Sequence, residues 1–177
     1  LTHELSRFST PGELVEHAFP IIQKEFDLKR MWFGVLNDQR THVVRQGGFG
    51  PGVRAGLVDI QIELELRHDF LDEAIRTRQP VVVEAGQEMD CAGLTRLIKR
   101  LELGTFIIVP LVSLQQVVGV LVVEPAVPAA FFARSKLPLL ANMASEIAAV
   151  ILARRFETRM SDADKMRMGA LLASGVA

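Results

Sequence analysis

The chain has 177 residues, of which 49% are hydrophobic and 23% charged, and its formal net charge is −1. This composition supports a packed core and excludes a disordered chain, and the balanced charge argues against non-specific nucleic-acid binding. Cys91 is the single cysteine, which excludes an internal disulfide and fits a reducing cytoplasm. The longest apolar runs are shorter than the roughly 18 residues that span a membrane, so we expect a cytoplasmic segment without a membrane part.

The first half of the chain predicts a helix followed by a β-hairpin. Pro11 follows two potential capping residues, and Ile21, Ile22 and Phe26 fall on one helical face, while Pro20 is expected to bend or split the helix. The stretch "MWFGVLNDQRTHVVRQ" contains two strand-like runs around the turn residues Asn-Asp. After the glycine-rich loop "GGFGPGVRAG", the alternation in "VDIQIELEL" predicts a half-buried strand.

The second half predicts two short helices, a second hairpin and a long final helix. The helices are "HDFLDEAIRTRQP" and "QEMDCAGLTRLIKRLEL", with the short strand "VVVE" between them. The runs "GTFIIVPLVS" and "QVVGVLVVE" form the hairpin, in which Pro110 predicts a bulge or local break. The last helix is expected to begin near Ser135 and to continue to the chain end. Strands that come mostly in hairpins predict an α+β fold, an antiparallel sheet with helices packed on its faces.

Two stretches resemble the GAF domain family. They are "AIRTRQPVVVE" and "LELGTFIIVPLVSLQQVVGVLVVE", followed by a helix on "LPLLANMASEIAAVI". The shared features are a Gln-Pro turn before a strand, a Val-Pro-Leu strand at 109–111 and a Gly-x-Leu strand at 119–121. The resemblance covers roughly residues 10–152 and implies a GAF-like antiparallel sheet.

The resemblance also implies a small-molecule pocket between one sheet face and the crossing helices. Its candidate lining residues in this sequence are Trp32, Phe70, Ile75, Asp90, Cys91, Leu94, Leu97, Ile98, Phe106 and Ile108. The alternative is that these side chains simply fill a core, which is the commoner role of any single apolar residue. A ligand, if there is one, is expected to contact 90–100 and strand residues near Phe106.

No cofactor, metal or catalytic group is evident in the sequence. Related GAF domains attach bilins through a Cys-His pair, but Cys91 is followed by Ala-Gly, so neither a bilin nor a haem is expected. The cyclic-nucleotide signature fails because the chain has no Asn-Lys pair. The acids of "HDFLDE" suit the solvated first turn of a helix better than a metal site. No nucleophile–base pair is recognisable, so we expect no catalysis by this chain.

The end of the chain, "KMRMGALLASGVA", resembles the start of the dimerisation and phosphoacceptor helix of sensor histidine kinases. In that family the phosphorylated histidine follows such a run directly, which predicts that the sequence stops just before it. We therefore divide the chain into a GAF sensory domain (1–155) and a linker helix (156–177) leading into a kinase. The seam of a parallel homodimer is expected at Leu152, Phe156, Met160, Ala163, Met166, Ala170 and Ala173.

These resemblances imply a non-catalytic sensory domain of a two-component sensor histidine kinase. It would bind a small ligand or relay a signal through its last helix, and its kinase portion would act on a response regulator. Two alternatives are an enzyme of the free-methionine-sulfoxide reductase type and the GAF module of a transcriptional activator. The reductase chemistry needs several cysteines, and this chain has one. Of these functions, only the histidine kinase accounts for the sequence of the last thirteen residues.

Overall fold

The computed structural model describes residues 11–51, 61–64, 69–88 and 91–174. This part of the chain contains five helices and six strands, in the order α1 (Pro11–Phe26), β1 (Leu28–Leu36), β2 (His42–Phe49), β3 (Gln61–Glu63), α2 (Phe70–Thr77), β4 (Val81–Val83), α3 (Ala92–Leu101), β5 (Phe106–Ser113), β6 (Gln116–Pro125), α4 (Ala129–Ser135) and α5 (Leu137–Ser174). The strands pair antiparallel in one sheet, ordered β3-β2-β1-β6-β5-β4. The expected α+β architecture with a long C-terminal helix is confirmed.

Helix α1 packs on the sheet through residues that recur every three or four positions. Phe19, Ile22 and Phe26 are buried on this face. The helix continues through Pro20, so the expected split does not occur. Ile21 was expected to face inward but is 47% exposed, because successive residues lie about 100° apart around a helix and Ile22 occupies the inner position.

The first hairpin joins β1 and β2 through a connection organised by one asparagine. The Asn37 side-chain carbonyl accepts the backbone N–H groups of Thr41 and His42 at 2.8 and 3.0 Å. The Asn37 N–H in turn donates to the carbonyl of His42 at 2.9 Å. This self-contained connection confirms the turn that the sequence predicts there.

The second hairpin joins β5 and β6 and accommodates Pro110 without a break at that residue. Pro110 is paired with Val120, and the register shift occurs one step later, between Leu111 and Val112. The expected irregularity is therefore displaced along the strand. On the other side of β5, pairing with β4 ends at Ile108, so no strand of the described residues lies opposite Pro110 there to require its missing N–H.

The sheet separates two hydrophobic clusters. Cluster 1 lies under α1, α4 and α5 and includes Phe26, Phe33, Val109, Leu121, Phe132, Leu140, Ile147 and Ile151. Cluster 2 lies under α2 and α3 and includes Trp32, Ile62, Leu71, Ala74, Val83, Leu94, Leu97, Phe106, Ile108 and Val122. Both faces of the sheet are thus covered, which explains why the strands of the second hairpin are apolar at almost every position.

The end of the described chain contains two helices where the sequence predicted one. Helix α4 begins after Pro128 and ends at Ser135, and α5 begins two residues later at Leu137. Within α5, Leu137–Ala163 is long and apolar enough, by length and composition, to cross a membrane. Its inner residues pack in cluster 1 as those of a core helix do: Leu140, Ala144, Ile147, Ala148, Ile151 and Leu152.

Gly119 is required by the close approach of β1 and β6. A Cβ atom there would lie 2.4 Å from the carbonyl oxygen of Gly34, a backbone atom held in the neighbouring strand. We predict that Gly119→Ala lowers the free energy of unfolding by about 1–3 kcal/mol, because the strands must separate locally. Urea unfolding measures this change. Gly104→Ala is the matched control, since its Cβ would meet only Glu124 Oε1 at 3.4 Å; equal stability of the two variants would contradict the packing argument.

Candidate functional site

A cavity of about 360 Å³ lies between α3, the β4–α3 connection and the start of β5. One face of α3 contributes Thr95, Ile98 and Lys99, which lie three and four residues apart and therefore share a side of the helix. The complete lining is Glu84, Gly86, Gln87, Glu88, Thr95, Ile98, Lys99, Leu103, Gly104 and Phe106.

The cavity combines an apolar floor with a polar rim. Ile98, Leu103 and Phe106 belong to or pack against cluster 2. At the rim, the Glu84 carboxylate accepts the Thr105 hydroxyl at 3.3 Å, and the Glu84 N–H donates to the Gln87 side chain at 2.9 Å. An apolar floor with a few fixed polar groups is the usual composition of a small-molecule site.

Cys91 holds the start of α3 and does not line the cavity. The thiol is 3% exposed, and its sulfur accepts the backbone N–H of Leu94 at 3.4 Å, as an N-cap side chain does. Burial raises the pKa of this thiol, with the nearby Asp69 carboxylate adding to the rise and the N–H of Leu94 opposing it. The thiolate is therefore disfavoured, which suits a structural cysteine and not a nucleophile.

Two of the ten residues expected to contact a ligand line the cavity, namely Ile98 and Phe106. The others, apart from Asp90, fill cluster 2 or pack against it: Trp32, Phe70, Ile75, Cys91, Leu94, Leu97 and Ile108. Asp90 lies outside the described residues. The structure thus brings these residues to one side of the sheet, but most of them form the core beneath the cavity.

Trp32 is the largest side chain of cluster 2 and is fully buried. Its ring covers Gly34, where a Cβ atom would lie 2.4 Å from the Trp32 ring. Among the described residues, the indole N–H has no hydrogen-bond acceptor. A buried hydrogen-bond donor without an acceptor lowers the stability of the fold. The indole N–H is therefore available to donate a hydrogen bond to a polar atom within cluster 2.

A second, more open groove of about 590 Å³ adjoins the cavity at Glu84 and Gly104. It reaches the buried end of β6, where Glu124 is 7% exposed and lies 2.5 Å from Arg30 Nη1. The Arg30 Nε–H group also donates to the carbonyl of Pro51 at 3.3 Å. The Arg30 guanidinium compensates the charge of the buried Glu124 carboxylate, so the two side chains form an ion pair.

The acidic residues at the start of α2 stabilise its first turn, and Asp69 caps the helix. Asp69 Oδ1 accepts the N–H of Asp72 at 2.7 Å, and Asp72 and Glu73 lie in the first turn of the helix. Acidic groups are stabilised there by the helix dipole. His68 lies outside the described residues, and the part of the chain that is described contains no group of three metal-ligating side chains.

The seam residues expected on α5 separate into a buried and an exposed group. Leu152 belongs to cluster 1 and is only 7% exposed, so its side chain packs inside the domain and cannot contact a second copy of α5. Phe156, Met160 and Met166 are 48%, 69% and 78% exposed, and Ala163 is also exposed. Ala170 and Ala173 lie on α5, but their side chains are outside the described part. The surface available for pairing therefore begins at Phe156.

Most of the polar rim of the cavity was not identified from the sequence. Glu84, Gln87 and Glu88 lie in the connection after β4 and follow no periodic pattern, whereas Lys99 falls in the segment 90–100 where ligand contacts were expected. The signal in the sequence that could have found this connection is the polar stretch "GQEMDCAG" before an apolar helix, which is typical of a loop that covers a site.

Comparison with known proteins identifies the fold. A family model described as "GAF domain" matches residues 9–152. A search of curated proteins gave no match.

Solved structures of several functional classes share this fold. A methyl-accepting chemotaxis protein (residues 122 to 287) is 14% identical, with a TM-score of 0.67, 88% of this chain and 96% of that chain covered. The GAF domain of a phosphoenolpyruvate-protein phosphotransferase from Coxiella burnetii is 12% identical, with a TM-score of 0.67 and coverages of 89% and 92%. A free methionine-R-sulfoxide reductase from Thermoplasma acidophilum is 15% identical, with a TM-score of 0.58 and coverages of 83% and 94%. At these identities the likeness concerns the fold alone.

Burial and the raised pKa predict that the Cys91 thiol reacts slowly in the folded protein. At pH 8 we expect modification by a disulfide reagent such as DTNB to be at least tenfold slower in the native chain than in urea, because the thiolate is the reactive form and is both scarce and enclosed. The release of the reagent's coloured thiol gives both rates. Equal rates would show an accessible, ionisable thiol and would contradict the capping role.

Proposed function

Since this chain belongs to the GAF domain family, we propose that it is the non-catalytic sensory domain of a two-component sensor histidine kinase, and that α5 is its output helix. The observation that carries this proposal is the course of α5. The helix extends to Ser174, 22 residues beyond Leu152, its last residue buried in the core. Past that point it exposes Phe156, Met160 and Met166, which an isolated surface helix would not be expected to present to water.

The sequence at the end of α5 supports the kinase part of the proposal. Gly169, Leu172 and Ala173, which match the histidine-kinase dimerisation pattern, lie within the helix. The remaining matches, Gly175 to Ala177, are outside the described residues. A response regulator would receive the phosphoryl group from the proposed kinase. The setting of such a domain is the cytoplasm, where the single unpaired cysteine is stable.

The cavity beside α3 is the proposed ligand site. Its volume of about 360 Å³ falls within the range of small-molecule pockets, and residues 95, 98, 99 and 106 in its lining fall in the segments where the sequence predicted ligand contacts. The identity of the ligand is open, and we propose neither a bilin nor a haem.

The reductase alternative is less well supported. One of the structures that share the fold is a free methionine-R-sulfoxide reductase. Thiol exchange of that kind uses more than one cysteine, whereas this chain has only Cys91, which is buried and caps α3. The transcriptional-activator alternative shares the domain but leaves the resemblance of the last thirteen residues without explanation.

The dimer part of the proposal is tested by Met160→Glu. We predict that the wild-type chain of 19.6 kDa forms a parallel dimer and that this variant weakens it at least tenfold, about 1.4 kcal/mol, because pairing would bury an uncompensated carboxylate. Sedimentation equilibrium measures the dissociation constant. Thr158→Glu is the matched control, since this exposed residue lies on the opposite side of α5. A monomeric wild-type chain at high concentration would contradict the pairing.

The ligand part is tested by filling the cavity. Native mass spectrometry of the domain purified from its natural host should show a bound small molecule. We predict that Ile98→Trp removes it, because the larger ring occupies the floor of the cavity. Arg96→Trp, exposed on the same helix, should retain it. A ligand that stays bound to Ile98→Trp would place the site elsewhere.

A further inference from the structure

Helix α5 leaves the domain beside the β1–β2 connection, where two arginines contact it. Arg155 lies three residues after Leu152, the last residue of the helix in cluster 1, and its Nη2 group donates to the carbonyl oxygen of Leu36. Arg159, one turn further, has its Nη2 3.5 Å from Asp38 Oδ1. Steps of three and four residues keep Leu152, Arg155 and Arg159 on one side of the helix.

The connection that receives these contacts is itself fixed. Besides the two N–H groups that Asn37 accepts, Arg40 Nη1 donates to the carbonyl of Val117 at 3.1 Å, which ties the connection to the β5–β6 hairpin. Leu36 is the last residue of β1 and is paired with Val43. The carbonyl that accepts from Arg155 is therefore part of the sheet and moves with β1.

The two arginine contacts differ in strength. In the Arg159–Asp38 pair both side chains are more than 60% exposed, at 62% and 65%, and such pairs contribute little. Arg155 is half-buried, and burial lowers the pKa of its guanidinium while Asp38 opposes this and Arg159 and Arg40 add to it. An arginine remains charged in this setting, so removing its carbonyl partner would leave a partly desolvated charge without compensation. Arg155 is the stronger of the two contacts.

We propose that Arg155 is the positioning residue that sets the rotation of the outgoing half of α5 relative to the sheet. This inference rests on the proposed function, since it assigns a regulatory role to the same output helix. Phe156 follows Arg155, and Met160 follows Arg159, so these two seam residues each lie about 100° around the helix from one of the two arginines. A shift of the Leu36 carbonyl that turns α5 at Arg155 would therefore turn Phe156 and Met160 with it.

Strand β1 can bring such a shift from the candidate ligand site. Its side chains alternate between the two clusters: Trp32 and Leu36 belong to cluster 2, and Phe33 and Val35 to cluster 1. Phe106, in the cavity lining, belongs to the same cluster as Trp32. Repacking of cluster 2 around a ligand thus acts on the strand whose last carbonyl holds Arg155.

The test is a cysteine cross-linking scan along α5 at positions 156–163, in the wild-type chain and in Arg155→Met. In the wild type we expect the highest disulfide yields at Phe156→Cys, Met160→Cys and Ala163→Cys. In Arg155→Met the maximum should move to neighbouring positions or spread over all of them, while the yield summed over the scan persists. A residue that only stabilised the fold would lower all yields together without moving the maximum. Arg159→Met is the matched control and should keep the wild-type pattern.

Hydrogen exchange separates failure of this inference from failure of the proposed function. If the wild type gives no cross-links, the pairing of α5 is wrong, and the anchoring role of Arg155 is then decided by backbone amide exchange. We expect exchange in 153–160 and in the connection 37–41 to be at least fivefold faster in Arg155→Met than in Arg159→Met. Unchanged exchange, or an unchanged cross-linking pattern in a paired wild type, would overturn the inference.

Discussion

Burial of the central strands on both faces is the constraint on which the rest of the structure depends. Nine of the ten residues of β6 are buried, because helices cover the sheet on both sides. A strand in this position is apolar at almost every residue and approaches its neighbour closely where Gly119 meets the carbonyl oxygen of Gly34. It can carry a charge only with a partner, as Glu124 does with Arg30. Among the described residues, the sheet thereby divides the interior into two clusters.

This division separates the candidate site from α5, the proposed output helix. The cavity lies on the face of cluster 2, whereas α5 packs in cluster 1 on the opposite face. A ligand cannot contact α5 directly from that cavity, so any influence has to pass through the sheet or along its edges. Strand β1 offers one such route, since it contributes to both clusters and ends at the carbonyl that Arg155 contacts.

Much of the fold was predictable because each strand and helix carries a local signal. The alternation of apolar and polar residues, the turn at Asn37 and the apolar runs of β5 and β6 each specify an element. The exposure of Ile21 was not predictable in this way, since Ile21 and Ile22 are neighbours in the helical period and only the packing of α1 on the sheet decides which of them is buried. The site was harder still: Leu94 and Leu97 carry the same signal as Ile98, but only Ile98 reaches the cavity, and rim residues such as Glu84 have no periodicity.

The central claim is that α5 leaves the domain as a paired helix. It is tested most directly by an inter-spin distance at position 160, with a nitroxide on Met160→Cys in the otherwise unchanged chain, where buried Cys91 stays unlabelled. Paired helix axes lie about 8–10 Å apart, so the account predicts one narrow distribution at short distance. The same label at position 158, on the opposite side of α5, should give a longer distance. No dipolar coupling at either position, or equal distances at both, would contradict the account.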